Sequence, residues 1–208
     1  MALNILYSYR RCPYAMRARM ALKYAEIPVV IREISLRYKP AEMLKVSPKG
    51  TVPVLVFSDE SLNKTVVIEQ SLEIMYWALY QRDVDGWLTA DGALTEQLVA
   101  ENDGDFKRAL DKYKYATRFP EQSAEIYRAQ GEVFLLMLEM LLNQSQFLLN
   151  DKVSLADIAI FPFIRQFSSV DGVWFEAAPY PKLKSWLKIL AESELFLNIM
   201  EKQPTYLE

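Results

Sequence analysis

The sequence contains no histidine and a single cysteine, Cys12. Without histidine there is no Ser-His or Cys-His catalysis and no His-ligated zinc, and no metal site is expected. With one cysteine no intramolecular disulfide can form, which suits a reducing compartment, and the cytoplasm is the expected location. Long apolar runs are missing too. The most apolar stretch, from Val133 to Leu142, is interrupted by Glu139 and is too short to span a bilayer. Met1 to Arg10 lacks the apolar run of a signal peptide. No membrane partner is expected. The formal net charge is −3, so no strongly basic field points to nucleic acid.

What remains is an ordinary globular composition, with 51% hydrophobic and 25% charged residues. A chain of 208 residues can bury a core as one large domain or two small ones. Asn4 to Ser8 reads as a strand, Tyr14 to Tyr24 as a helix, and Val29 to Ile34 as a second strand. In the helix Met16, Met20, Ala21 and Tyr24 share one face, and Arg17, Arg19 and Lys23 are expected largely elsewhere. This is a βαβ unit, whose strands run parallel by the crossover rule. A short helical turn follows near Ala41 to Lys45, then a strand from Val52 to Phe57. Thr65 to Ile68 hairpins back across a turn containing Asp59, Ser61 and Asn63, and Gln70 to Gln81 is helical.

Residues 81–92, rich in Gly and Asp, read as a linker between residues 1–80 and residues 93–208. The second part is all helical in pattern: Ala93 to Tyr115, Glu121 to Leu149, Ser154 to Ser168, Pro181 to Ala191 and Ser193 to Lys202. Within it Ser154-Leu155-Ala156-Asp157 is a capping box, with Val153 and Ile158 placed as a hydrophobic staple. The expected class is therefore an α/β thioredoxin-like domain followed by an all-α domain.

The chemistry concentrates at Cys12-Pro13-Tyr14-Ala15, where the first strand gives way to the first helix. A cysteine at a helix N-terminus faces unpaired amides and the positive end of the dipole, which favour thiolate over thiol. Arg10, Arg11 and Arg17 are close in sequence and add to that field. The bland alternative is a buried cysteine acting as a small hydrophobe. Alanine at position 15 removes the resolving thiol of a C-x-x-C pair, so a mixed disulfide on Cys12 needs an outside thiol. Val52-Pro53 opens a strand and is either a plain edge proline or a cis pair that presents the Val52 backbone to an extended peptide. Gln70-Ser71 stands at a helix start, where it either caps the helix or binds a carboxylate.

The segments Y-S-Y-R-R-C-P-Y-A-M-R-A-R-M-A-L, S-P-K-G-T-V-P-V-L and I-E-Q-S-L-E-I-M-Y-W resemble a bacterial glutathione transferase. The C-P-Y-A site is most similar to the omega-like, cysteine-type members, which border on glutaredoxins. S-L-A-D-I-A-I-F-P matches the capping box of the family's helical domain, so the similarity spans the chain. The resemblance implies a homodimer that takes glutathione as cosubstrate. It makes Cys12 the nucleophile, gives Val52 and the cis-proline Pro53 to the cysteinyl backbone of glutathione, and gives Gln70 and Ser71 to its γ-glutamyl end. It gives Lys39, otherwise a solvated loop lysine, to the glycyl carboxylate. Gln70 stands where many relatives carry an acid.

The implied activity is glutathione-dependent thiol transfer through a mixed disulfide on Cys12. The alternatives are conjugation of glutathione to electrophiles, with Tyr7, Ser8 and Tyr9 nearby, and a non-catalytic protein-binding role. An acceptor site is expected between the domains, with Tyr113, Tyr115 and Phe119 as aromatic candidates, although most aromatics at helical spacing are core residues.

Overall fold

The computed structural model describes residues 4–59 and 63–207. The first half runs β1 (Ile5–Ser8), α1 (Pro13–Tyr24), β2 (Val30–Glu33), α2 (Ala41–Val46), β3 (Val54–Asp59), β4 (Lys64–Ile68) and α3 (Ser71–Gln81). The strands form one sheet in the order β2-β1-β3-β4. β1 pairs β2 in parallel, with Ser8 opposite Glu33, and pairs β3 antiparallel, with Tyr7 opposite Val54. Pro53 precedes the β3 ladder, so its missing N–H removes no ladder bond. Ser61, expected in the turn after β3, lies outside the described residues.

α1 packs on α3. Its spacing-based polar face is a correction to the sequence reading, because Arg17 and Arg19 are buried, at 2% and 3% exposure. Periodicity ranks residues by polarity, but here both guanidiniums find partners inside the fold.

The helical half comprises α4 (Gly92–Glu101), α5 (Lys107–Lys114), α6 (Ala124–Leu142), α7 (Leu155–Ser168), α8 (Gly172–Ala177), α9 (Pro181–Ala191) and α10 (Glu194–Ile199). The single helix expected over 93–115 is broken at Asn102–Phe106, where Gly104 has non-helical dihedrals. The helix expected over 121–149 ends at Leu142. The expected capping box forms at the start of α7. Asp157 accepts from the Ser154 amide at 2.9 Å and hydroxyl at 2.6 Å, from the Leu148 amide at 2.9 Å, and from Trp186 Nε1 at 2.8 Å.

The chain divides into two compact units, one of Met1–Asp85 with Glu194–Glu208, the other of Gly86–Ser193. The segment from Glu194 was expected with the helical domain and instead belongs to the first unit. α10 packs on α1 and buries Phe196 and Ile199. Further along, the Tyr206 amide donates to the Glu33 carbonyl at 2.7 Å, and Thr205 bridges Glu33 in parallel at the outer edge of β2. An amphipathic helix shows from sequence which face it buries, and not which neighbour it buries it against.

Candidate functional site

Cys12 is the residue immediately before α1, with extended backbone dihedrals and Pro13 as the first helical residue. Proline there loses no hydrogen bond and presets the turn. The Cys12 amide donates to the Tyr9 carbonyl at 2.9 Å, and the Cys12 carbonyl accepts from the Met16 amide at 2.9 Å. The thiol is half-buried and packs against a cluster of Tyr7, Ile34, Met43, Val52 and Val54. Its Sγ stands 3.8 Å from the Val52 carbonyl oxygen. Val52-Pro53 is a cis peptide. Two of the sequence candidates, Cys12 and Val52, therefore meet directly.

Ser71 is the first residue of α3, after Gln70 in extended conformation. Ser71 is buried and its Oγ accepts from Arg17 Nε at 2.9 Å, while Gln70 is exposed. Arg17 also lies over the Tyr14 ring at 5.1 Å. Lys39 is exposed, and its side chain runs over the S-P-K-G loop: a Cβ at Gly50 would lie 3.3 Å from Lys39 Nζ. The ammonium is thus brought to a residue two positions before Val52. Beside this loop Ser47 donates through a short hydrogen bond to Glu69, and Lys49 donates to the Glu69 carbonyl at 2.8 Å.

The electrostatics differ from the sequence expectation. Arg11 is exposed, and Arg17 is engaged with Ser71. Arg19, which the sequence reading set aside, couples to Cys12. Burial pulls the Arg19 guanidinium down to about 10, against Glu33 and Cys12, whose negative charges raise it. The signal was present as spacing, since position 19 follows position 12 by seven residues, just under two helical turns.

Two of the three other hydroxyls named from the sequence are held or enclosed, and Tyr9 is half-buried. Tyr7 OH accepts from Arg32 Nη1 at 2.7 Å, and Ser8 is fully buried. Among the helical-half aromatics, Tyr113 is buried with its ring centroid 5.1 Å from that of Phe167, as a core residue. Tyr115 is exposed between Lys114 and Arg118, and Phe119 is half-buried.

The family model for the N-terminal domain of glutathione S-transferases matches residues 6–84, and that for the C-terminal domain matches residues 96–194. The chain belongs to the glutathione S-transferase family. It is 25% identical over 204 residues to glutathione S-transferase omega-1 of Mus musculus, covering 98% of this chain and 82% of the relative. It is 25% identical over 213 residues to glutathione S-transferase Z1 of Arabidopsis thaliana, covering 96% and 92%. Among solved structures it resembles a glutathione transferase family member from Pseudomonas fluorescens pf-5 with two glutathione bound. That likeness has a TM-score of 0.80 at 17% identity and covers 96% of this chain and 92% of that one. It also resembles glutathione transferase Omega 3C from Trametes versicolor, with a TM-score of 0.78 at 20% identity, covering 98% and 91%. Membership of the family supports a glutathione-dependent transferase activity.

Proposed function

We propose that this protein is a cysteine-type glutathione transferase that performs thiol transfer through Cys12. The observation that carries the reading is the half-buried Cys12 thiol at a helix start, 3.8 Å from the Val52 carbonyl. A thiolate there meets unpaired helix amides, which is the environment of a reactive cysteine.

In the proposed reaction the Cys12 thiolate attacks the glutathione sulfur of a glutathione-containing disulfide. The S–S bond breaks, a Cys12–glutathione disulfide forms, and the departing thiolate takes a proton from solvent. Because position 15 is alanine, a second glutathione thiolate then attacks the glutathionyl sulfur. Glutathione disulfide leaves and the Cys12 thiolate is restored, with no net change in the enzyme.

The Val52 backbone pairs with the cysteinyl residue of bound glutathione, beside Pro53, and Gln70 and Ser71 receive its γ-glutamyl end. The Ser71 oxygen accepts from Arg17, so its own proton is left to donate to a carboxylate. Lys39, drawn over Gly50, meets the glycyl carboxylate. Conjugation through Tyr7 or Ser8 is disfavoured by their burial, at 3% and 0% exposure. The reading further takes the working form as a homodimer in the reducing cytoplasm, where a lone thiol stays reduced.

Intact mass after incubation with glutathione disulfide tests the proposal. One glutathione adduct on the wild type, absent from Cys12→Ser and removed by reduced glutathione, supports it. A folded wild type that takes no adduct overturns it in favour of conjugation or a non-catalytic role.

A further inference from the structure

Two buried charges grip the turn that presents Cys12. Glu33, the last residue of β2, accepts from the Arg10 amide through Oε1 at 2.7 Å. Arg19 Nη2, on α1, donates to the Arg10 carbonyl at 2.9 Å. Arg10 is thus held at both its N–H and its C=O by side chains of opposite sign, which are 11% and 3% exposed. The next fixed point is Cys12 itself, whose amide closes the turn onto the Tyr9 carbonyl.

The two charges make these short bonds to backbone rather than to each other. Their closest approach, Arg19 Nη1 to Glu33 Oε2, is 4.0 Å, and Arg19 Nε and Glu33 Oε2 have no hydrogen-bond partner among the described residues. A buried ion pair of that kind is a poor source of stability, because desolvation offsets its attraction. What this pair does that an apolar pair could not is hold both ends of Arg10. The charges that act on Arg19 are Glu33 on β2, Cys12 itself and Arg10 in the turn, and the thiol meets the neutral Val52 carbonyl before β3. Coupling between two charges is mutual, so a Cys12 thiolate that steadies charged Arg19 is itself favoured by it.

We infer that Arg19 and Glu33 are positioning residues for Cys12, fixing the Tyr9–Cys12 turn and, through the Arg19 cation, favouring the thiolate. The inference rests on Cys12 being the reactive thiol. It is tested by the pH dependence of Cys12 alkylation by iodoacetamide, with no glutathione present. Arg19→Met removes the cation and leaves Glu33 as an uncompensated charge at the Arg10 amide. Alkylation at pH 7 then slows about tenfold, the profile moves to higher pH, and the high-pH plateau falls because the grip on the Arg10 carbonyl is lost. Arg19→Lys restores most of the pH 7 rate, because it keeps the charge. Arg19→Met/Glu33→Gln removes both charges and isolates the loss of the grip on the turn. Should Arg19→Met not fold, Arg19→Lys and Glu33→Gln supply the comparison. The inference then requires a slower plateau for Arg19→Lys, whose single ammonium lacks the fork, and a profile at lower pH for Glu33→Gln.

Folded variants with the wild-type profile overturn the inference even if wild type forms its glutathione adduct. A wild type that takes no glutathione adduct, with an Arg19→Met profile that still moves, overturns the thiol-transfer reading and leaves this one standing.

Discussion

Arg17 and Ser71 are joined by a 2.9 Å hydrogen bond from Nε to Oγ, tying the middle of α1 to the first residue of α3. The bond lies in the interior and its donor is charged, the stronger kind of hydrogen bond. It also fixes the rotamer of a hydroxyl proposed to hold the γ-glutamyl end of glutathione.

Ser71→Ala removes the acceptor and leaves a buried guanidinium nitrogen short of a partner. We expect a loss of about 1.5–3 kcal/mol in urea unfolding and a raised KM for glutathione. Unchanged stability and KM would mean that the contact is idle.

Gly50→Ala acts on Lys39. Gly50 has φ +63°, and its added methyl would sit 3.2 Å from Leu44 Cδ2 and 3.3 Å from Lys39 Nζ. The left-handed backbone costs a non-glycine residue about 1–2 kcal/mol. The expected kinetic result is a higher KM for glutathione with kcat little altered. A change in kcat alone would count against Lys39 as a glutathione-binding group.

Gly131→Ala lies in α6, far along the sequence from the thiol. Helix propensity alone favours alanine by about 1 kcal/mol. The new Cβ, however, would come 2.5 Å from Phe167 Cε2. Phe167 is 1% exposed and its ring is packed against Phe106, Tyr113 and Trp174. Overpacking costs about 1–3 kcal/mol, so the net effect is a lower melting temperature. A higher one would show that the ring moves freely.

Asp157 gives a prediction in pH. Burial pushes its carboxyl up from 3.8, and the hydrogen bonds it accepts pull the other way without reversing the shift. The folded chain therefore holds this proton more tightly than the unfolded one. Stability from this group is full below the ordinary carboxylate value and is lost as pH rises through the raised one. The stability difference between wild type and Asp157→Asn should shrink from pH 4 to pH 7 in urea titrations. A difference that grows over that range would reverse the sign.

Much of the first unit was legible because its signals are local. The β1-α1-β2 unit follows from two short apolar runs and the helical spacing of Met16, Met20, Ala21 and Tyr24, and Cys12-Pro13 marks a helix start by the chemistry of proline alone. The capping box at Ser154 likewise needs only four residues. What stayed hidden depends on partners distant in sequence. Glu139 interrupts an apolar run and looks like a misplaced charge. In the fold it accepts the Lys182 and Leu183 amides, at 3.1 and 2.7 Å, and so caps α9. Arg17 and Arg19 were assigned to the polar face because Ser71, Glu33 and the Arg10 carbonyl lie elsewhere along the chain. The break at Gly104 was signalled by a glycine that helices also tolerate, so its meaning waited on the packing.

The return of the segment after Glu194 to the first unit has a consequence for synthesis. The strands β1 to β4 and helix α3 emerge from the ribosome long before α10 and Tyr206. Until then the face of α1 that α10 covers stays open, as does the edge of β2 that Thr205 and Tyr206 close. The helical unit is made whole in the interval. The unit that begins first therefore finishes last, and a nascent chain that has emerged as far as Ser193 should hold a folded helical unit and an incomplete sheet unit.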